Sequence, residues 1–456
     1  MNITSEKNLT FFVILGITLL AMLLVANVGG LKIIGIYTTY LLLLPFYFNV
    51  RQMENREEIL KPQFLNLFAF IIIFGVAGLN HYIVDPEKNR NILFMILLAY
   101  IALNSGIHWG EAIDLRKSAK ANSRWNGKRA TLLLDVWLAV LFFATFIYFA
   151  KMGSIPWFSE QPEQARVTLA EKGGGYLRVI IYSGIVWIML AYTSMIKKIY
   201  RRSRLFFVVV AILMLVFLAL GNRAPLVTIV CMLMLIKLGY TDLLIKTGRK
   251  YLLLAFAVAV LIVLAFGLTG TMRVVQDEKV SQYTEYKELL KEKEYATIFF
   301  SQIFSYLAHG VNNFATVYEN VPEKYDYKFG ATYFYPALTV LPGKQYTLDM
   351  QLKHAFNMKF SGGGLVPSTL GEAYVNFGKA GVVFVPFLIG FVLSMLYKKF
   401  KLDKCSGYGL VYLFLLYYLS IHMVSGILAS SVFLMEAIVL ILVFDKIVTI
   451  KRDETE

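Results

Sequence analysis

Cysteine is nearly missing from this chain: two in 456 residues. Cys231 lies inside an apolar run and Cys405 beside a lysine cluster, too few and too differently placed for a disulfide framework or a thiolate metal cage. They imply no redox chemistry. Charged residues are also scarce, at 16% of the chain, and the long apolar runs are nearly free of them, whereas a flippase or exporter lines its spans with ionisable groups. No internal repeat or low-complexity tract is evident, which weakens inverted-repeat transporter architectures. Acidic residues are outnumbered by basic ones, 30 to 45, giving a formal charge of +15. That excess is not a nucleic-acid footprint, because the basic residues sit between apolar runs, where they hold membrane topology.

What is abundant is apolar surface. Hydrophobic residues make up 58% of the chain and the mean hydropathy is +0.61, with runs approaching the roughly 20 residues a bilayer-spanning helix needs. The composition predicts an all-α, polytopic integral membrane protein. Runs at about 9–27, 31–50, 62–80, 89–109, 130–150, 175–196, 205–220, 224–240, 250–270, 379–397, 406–424 and 428–445 predict about twelve transmembrane helices. With the N-terminus cytoplasmic, 21 basic residues fall in the cytoplasmic connections and 7 in the short connections opposite, so the positive-inside rule places both termini in the cytoplasm. The first run has Lys7 ahead of it and small residues near Ala26 to Gly30, like a secretory signal. A second run follows at once, so the first is read as an uncleaved span. Residues 1–270 then form a membrane domain of nine spans, 271–378 a long extracytoplasmic loop between spans nine and ten, and 379–456 the last three spans with a cytoplasmic tail.

The loop carries the only sizeable polar and titratable surface outside the cytoplasm, and so function is expected there. Lys279 to Glu294 is densely charged and reads as a solvated helical spacer. From Thr297, Phe299, Phe300, Ile303, Phe304, Leu307, Val311, Phe314, Ala315 and Tyr318 recur at three- and four-residue intervals, the pattern of an amphipathic helix. Its other face carries His309, Asn312, Asn313 and Thr316, polar groups that suit sugar hydroxyls if the apolar face lies in lipid or on the spans. Eleven tyrosines between Tyr283 and Tyr374 are either interfacial belt residues or stacking platforms for pyranose rings.

The loop closes on Ser361-Gly-Gly-Gly-Leu-Val-Pro-Ser-Thr-Leu-Gly-Glu-Ala-Tyr-Val-Asn-Phe-Gly378. The glycines suit a hinge or a nest of amides that receives an anion, and Pro367-Ser368-Thr369 starts a helix. Two readings of Glu372 are open. Thr369 and Glu372 have the spacing of a capping box; alternatively the carboxylate takes a proton from an acceptor hydroxyl. Three arginines on the outer side, Arg166, Arg223 in the tight Gly221-Asn222-Arg223-Ala224-Pro225 hairpin, and Arg273, either snorkel at the headgroup level or bind phosphate oxygens in pairs.

Arg166 followed by Gly173-Gly174-Gly175, the Gly-Asn-Arg-Ala-Pro hairpin, the late long outer loop and its Gly-Gly-Gly…Pro-Ser…Gly-Glu-Ala-Tyr-Val-Asn-Phe-Gly closure together resemble the Wzy-type oligosaccharide repeat-unit polymerases. That family is similar in architecture to O-antigen ligases. The resemblance implies a multi-pass enzyme of the cytoplasmic membrane that moves a growing glycan from undecaprenyl diphosphate onto another lipid-linked repeat unit, without cofactor or bound metal. In that scheme Arg166, Arg223 and Arg273 hold the leaving diphosphate, Tyr374, Asn312 and Asn313 hold the glycan, and Glu372 or His309 is the base. The implied partners are the undecaprenyl-diphosphate-linked oligosaccharide and membrane lipid, with a chain-length regulator and a flippase beside it, and no nucleic acid. A ligase-like transfer to another acceptor and a lipid-linked oligosaccharide flippase are the competing functions.

Overall fold

The computed structural model describes residues 43, 60–76, 86–113, 123–152, 175–220, 224–241, 267–268, 270–271, 292, 294–338, 347–359, 364–404, 406–426 and 432–451. The expected first two spans and the ninth, the charged spacer, Gly362 and Gly363, and the three arginines Arg166, Arg223 and Arg273 lie wholly or mostly outside them.

The described chain is helical almost throughout. The helices are α1 (Pro62–Phe70), continued by a π-helical stretch Ile71–Val76; α2 (Pro86–Ala112); α3 (Gly127–Met152); α4 (Gly175–Ile196); α5 (Ser203–Ala219); and α6 (Ala224–Tyr240). Then come α7 (Tyr295–Asn320), α8 (Leu348–Ala355), α9 (Ser368–Leu402), α10 (Gly407–Ile421) and α11 (Phe433–Val448). Helices thus stand where the third to eighth and the tenth to twelfth apolar runs predict them. Four, within Asn91–Ala112, Gly127–Lys151, Gly175–Ile196 and Ser368–Leu402, are long and apolar enough to cross a membrane; α5, α6 and α10 are shorter apolar helices.

Local chemistry sets several helix ends. Pro62 occupies the first turn of α1, where no amide hydrogen is missed. Asn126 caps α3, its Oδ1 accepting the Lys128 and Arg129 amides at 3.0 and 3.1 Å. Asn126→Ala is expected to cost about 1 kcal/mol, the usual value of such a cap, read as a lowered thermal midpoint in detergent. An unchanged midpoint would mean the cap adds nothing.

Two apolar cores organise the helices. In the first, α3 to α6, α10, α11 and the later part of α9 pack together; Trp187 of α4 is fully buried there, its Nε1 donating to the Leu134 carbonyl at 2.8 Å, so its one polar atom is satisfied. One end of this bundle is closed by a two-stranded antiparallel ribbon, β1 (Ser123–Trp125) with β2 (Thr449–Lys451). There Trp125 Nε1 donates to Asp445 at 2.7 Å, Lys197 lies 3.7 Å from the Trp125 ring centre, and Arg202 pairs with Asp135 at 2.9 Å. In the second core, α1, α2, α7 and α9 meet around Phe70, Phe74, Tyr100, Phe314 and Leu370.

The contact between α2 and α9 rests on small residues. A Cβ on Gly106 would lie 2.0 Å from the Phe387 carbonyl oxygen, and one on Gly390 2.2 Å from that of Leu103, so the backbones touch directly, as membrane helices do where small residues face each other. Gly106 meets Phe387 and Gly110 meets Ser394. Further along, Lys398 Nζ donates to the carbonyls of Glu111 and Ile113, capping the negative end of α2 with a cation. The two helices therefore run parallel.

Helix α9 is two helices in one. Phe377 and Gly378 leave helical geometry, Gly378 at φ +60°, a conformation glycine adopts freely. A Cβ on Gly381 would lie 2.2 Å from the Ala373 carbonyl oxygen, whereas a straight helix would separate residues eight apart by about 12 Å. The chain thus folds sharply at 377–378, where the sequence ends the loop and begins a span. The segment before the fold, 368–376, is buried at every residue.

Candidate functional site

The enclosed segment Ser368–Asn376 carries Glu372, and its position is fixed from both ends. At its start, the capping box predicted for Thr369 and Glu372 is not formed. The Thr369 amide donates to the Met423 carbonyl at 3.0 Å and its hydroxyl to the His422 carbonyl at 3.3 Å, so no amide of Thr369 is left for Glu372 to cap. Ser368, at φ +63°, serves instead, its Oγ accepting the Gly371 amide at 3.3 Å. His422 itself is held by Ser425 Oγ at 2.9 Å and stacked 3.9 Å from the Tyr418 ring.

At its other end the fold at Phe377 leaves carbonyls without helical partners, and the turn at 328–332 takes them. Lys328 and Phe329 amides donate to Val375 and Asn376 at 3.0 and 2.9 Å. Asn376 completes the clamp, accepting the Gly330 amide at 3.0 Å on Oδ1 and donating from Nδ2 to Thr332 Oγ1 at 2.6 Å and to the Glu372 carbonyl at 2.8 Å. This draws Tyr333 toward Glu372. Burial first, and then the Glu372 charge, hold the Tyr333 hydroxyl protonated far above the ordinary tyrosine range; it is buried and makes no hydrogen bond of good geometry among the described residues. A fully buried carboxylate and a neutral hydroxyl are therefore brought together from segments about 40 residues apart, with the Asn376 side chain bridging the two segments.

The other predicted site residues are placed as follows. Helix α7 extends from Tyr295 to Asn320 and buries Val311, Phe314 and Ala315, with Gly310 directly on Ile73 of the π-helical stretch. Asn313 turns inward, its Nδ2 donating to the Val366 carbonyl at 2.7 Å, and so braces the approach to Ser368. The Asn312 carbonyl accepts the Thr316 hydroxyl at 2.9 Å. His309 is exposed while Glu372 is fully buried, so the two candidate bases stand in opposite environments. Tyr374 is 5% exposed, with its ring 5.1, 6.1 and 6.4 Å from those of Tyr318, Tyr327 and Phe314. It is a core aromatic here, packed among protein rings. Gly364, the described member of the glycine triplet, packs against the Asp349 backbone, and its amide donates to the Asp349 carboxylate. The anion this glycine meets is the chain's own. Burial nonetheless raises the Asp349 carboxyl above its ordinary value.

One cation escaped the sequence reading, because it lies inside the apolar run 175–196. Arg178 sits in the first turn of α4, its Nη2 3.4 Å from the Tyr182 hydroxyl and its guanidinium carbon 5.5 Å from that ring. Tyr182 in turn packs on Phe217 at the end of α5 and Phe433 at the start of α11. Among the described residues no carboxylate pairs with Arg178. Thr332, Tyr333 and Asn376 were likewise not singled out, since only the non-local clamp gives them meaning.

Comparison with known proteins finds no match: no family model, no curated protein and no solved structure corresponds to this chain.

Proposed function

We propose that this chain is a glycosyltransferase that polymerises undecaprenyl-diphosphate-linked oligosaccharide repeat units into a surface polysaccharide at the outer face of the cytoplasmic membrane. The observation that carries the reading is the enclosed helix Ser368–Asn376, where the buried Glu372 carboxylate acts on Tyr333 and Asn376 ties the helix to the 328–332 turn, within the motif that resembles the Wzy-type polymerases. The parallel course of α2 and α9 and the shared end of α4, α5 and α11 support a twelve-span threading with this helix at the outer side.

In the reaction so envisaged, Glu372 accepts the proton of an acceptor hydroxyl as that oxygen attacks the anomeric carbon of the donor glycan. The bond from that carbon to the diphosphate oxygen breaks, and undecaprenyl diphosphate leaves with the electron pair. Tyr333, neutral at physiological pH, serves as a hydrogen-bond donor that orients a sugar oxygen, while Asn376, whose amide hydrogens are spent on Thr332 and the Glu372 carbonyl, holds the helix in place. Positive charge at the leaving group comes from arginines: Arg166, Arg223 and Arg273, with Arg178 added to them. Arg178 is half-buried with no carboxylate paired to it among the described residues, a setting that suits an anionic ligand, and a lipid-linked diphosphate supplies one.

Arg178→Lys keeps the charge but loses the paired geometry. It is expected to shorten cellular glycan chains nearly as much as Arg178→Ala, read as the ladder on a polysaccharide gel. Full chain lengths in both variants, at normal protein levels, would remove Arg178 from the site.

A further inference from the structure

The turn that clamps Asn376 also carries a group of aromatic side chains that the protein does not cover. Phe329 is 80% exposed and Phe334 68%; Leu338, four residues on, is exposed as well, as is Phe377, whose ring lies against Gly330. Phe329 stands at φ +48°, a left-handed conformation that is strained for a bulky residue. Inside the protein its ring gains little in return. The group is nevertheless rigidly sited. The Phe329 amide is bonded to the Asn376 carbonyl, Gly330 packs against the Phe377 ring, and Thr332 is tied to the Asn376 side chain.

Phe377 stands at the fold of α9. Beyond the fold, the outward face of α9 carries Phe384, Leu388 and Val392, all exposed and spaced at four-residue intervals, so they form one stripe along a helix apolar enough to span a bilayer. The exposed Phe329 and Phe334 therefore continue a lipid-facing surface at the point where α9 folds. Exposed Lys379 lies at the same level, suited to phosphate headgroups.

We infer that the 329–338 segment is a membrane foot, with Phe329 and Phe334 inserted among the acyl chains of the outer leaflet beside α9. Its occupant is bilayer lipid. By anchoring the clamp in the leaflet, the foot fixes the depth of the helix that bears Glu372 relative to the surface. The inference rests on α9 spanning the membrane, not on the proposed reaction.

The test is site-directed spin labelling in a background with Cys231 and Cys405 replaced by Ser. Nitroxides are placed singly at Phe329→Cys, Phe334→Cys, Phe384→Cys and Glu323→Cys, in nanodiscs of phosphatidylethanolamine and phosphatidylglycerol. Power saturation compares collision with apolar oxygen and with the water-soluble nickel chelate. Oxygen accessibility is expected to exceed chelate accessibility several-fold at 329 and 334, as at 384, with the reverse at exposed Glu323. Chelate accessibility at 329 and 334 equal to that at 323, with 384 still in lipid, would place the segment in water and overturn the foot alone. Exclusion of both reagents at 329 and 334 would mean that protein, such as a second copy, covers them, and would also overturn it. Chelate accessibility at 384 would instead refute the spanning of α9.

Discussion

Glu372→Gln reduces long-chain glycan to single repeat units while the protein remains in the membrane at its normal level. Gln matches Glu in shape, so the fully buried site neither opens a void nor crowds, and the helix that carries it stays clamped by Thr369 and Asn376. What is lost is the proton acceptor, an effect on the order of 10²–10⁴ in rate. A second readout separates lost charge from lost fold: the thermal midpoint in detergent is expected to stay at the value of the unsubstituted protein. Normal chain lengths in Glu372→Gln would leave the carboxylate without a catalytic role.

Gly390→Leu unfolds or disassembles the protein. Even the first carbon of the new side chain would lie 2.2 Å from the Leu103 carbonyl oxygen and 3.0 Å from the Ile107 amide nitrogen, and backbone at a helix interface cannot rotate aside as a side chain can. Overpacking of this kind costs about 3 kcal/mol or more when helices must separate. The expected result is loss of the monodisperse peak on size exclusion in detergent, with Gly390→Ala intermediate and Val392→Leu, on the exposed face two residues on, unaffected. A stable Gly390→Leu protein would mean that α2 and α9 do not touch as described.

Where apolar run and helix coincide, sequence alone is a good guide, because hydrophobic length and three-to-four periodicity are local properties. The helix 295–320 follows from the recurrence of Val311, Phe314 and Ala315, and the break at Phe377–Gly378 from the place where polar sequence gives way to apolar. The site was less legible. The Thr369–Glu372 spacing suggested a cap, but the Thr369 amide is taken by Met423, a partner 54 residues away that no local pattern reveals. Tyr374 matches a stacking residue in type, yet its neighbours Phe314, Tyr318 and Tyr327 enclose it. Tyr333 and Asn376 meet only because the fold at Gly378 frees two carbonyls and the 328–332 turn answers them. Arg178 was hidden by its apolar surroundings, although a charge at the end of a span is itself a functional signal.

The central claim is transfer between lipid-linked glycans, and it is tested most directly by incubating the purified protein with an undecaprenyl-diphosphate-linked repeat unit, with chelator and without nucleotide. The account predicts a ladder of polymer lengths with release of undecaprenyl diphosphate, lost in Glu372→Gln. Intact substrate, with no ladder and no released lipid diphosphate from folded protein, would contradict it.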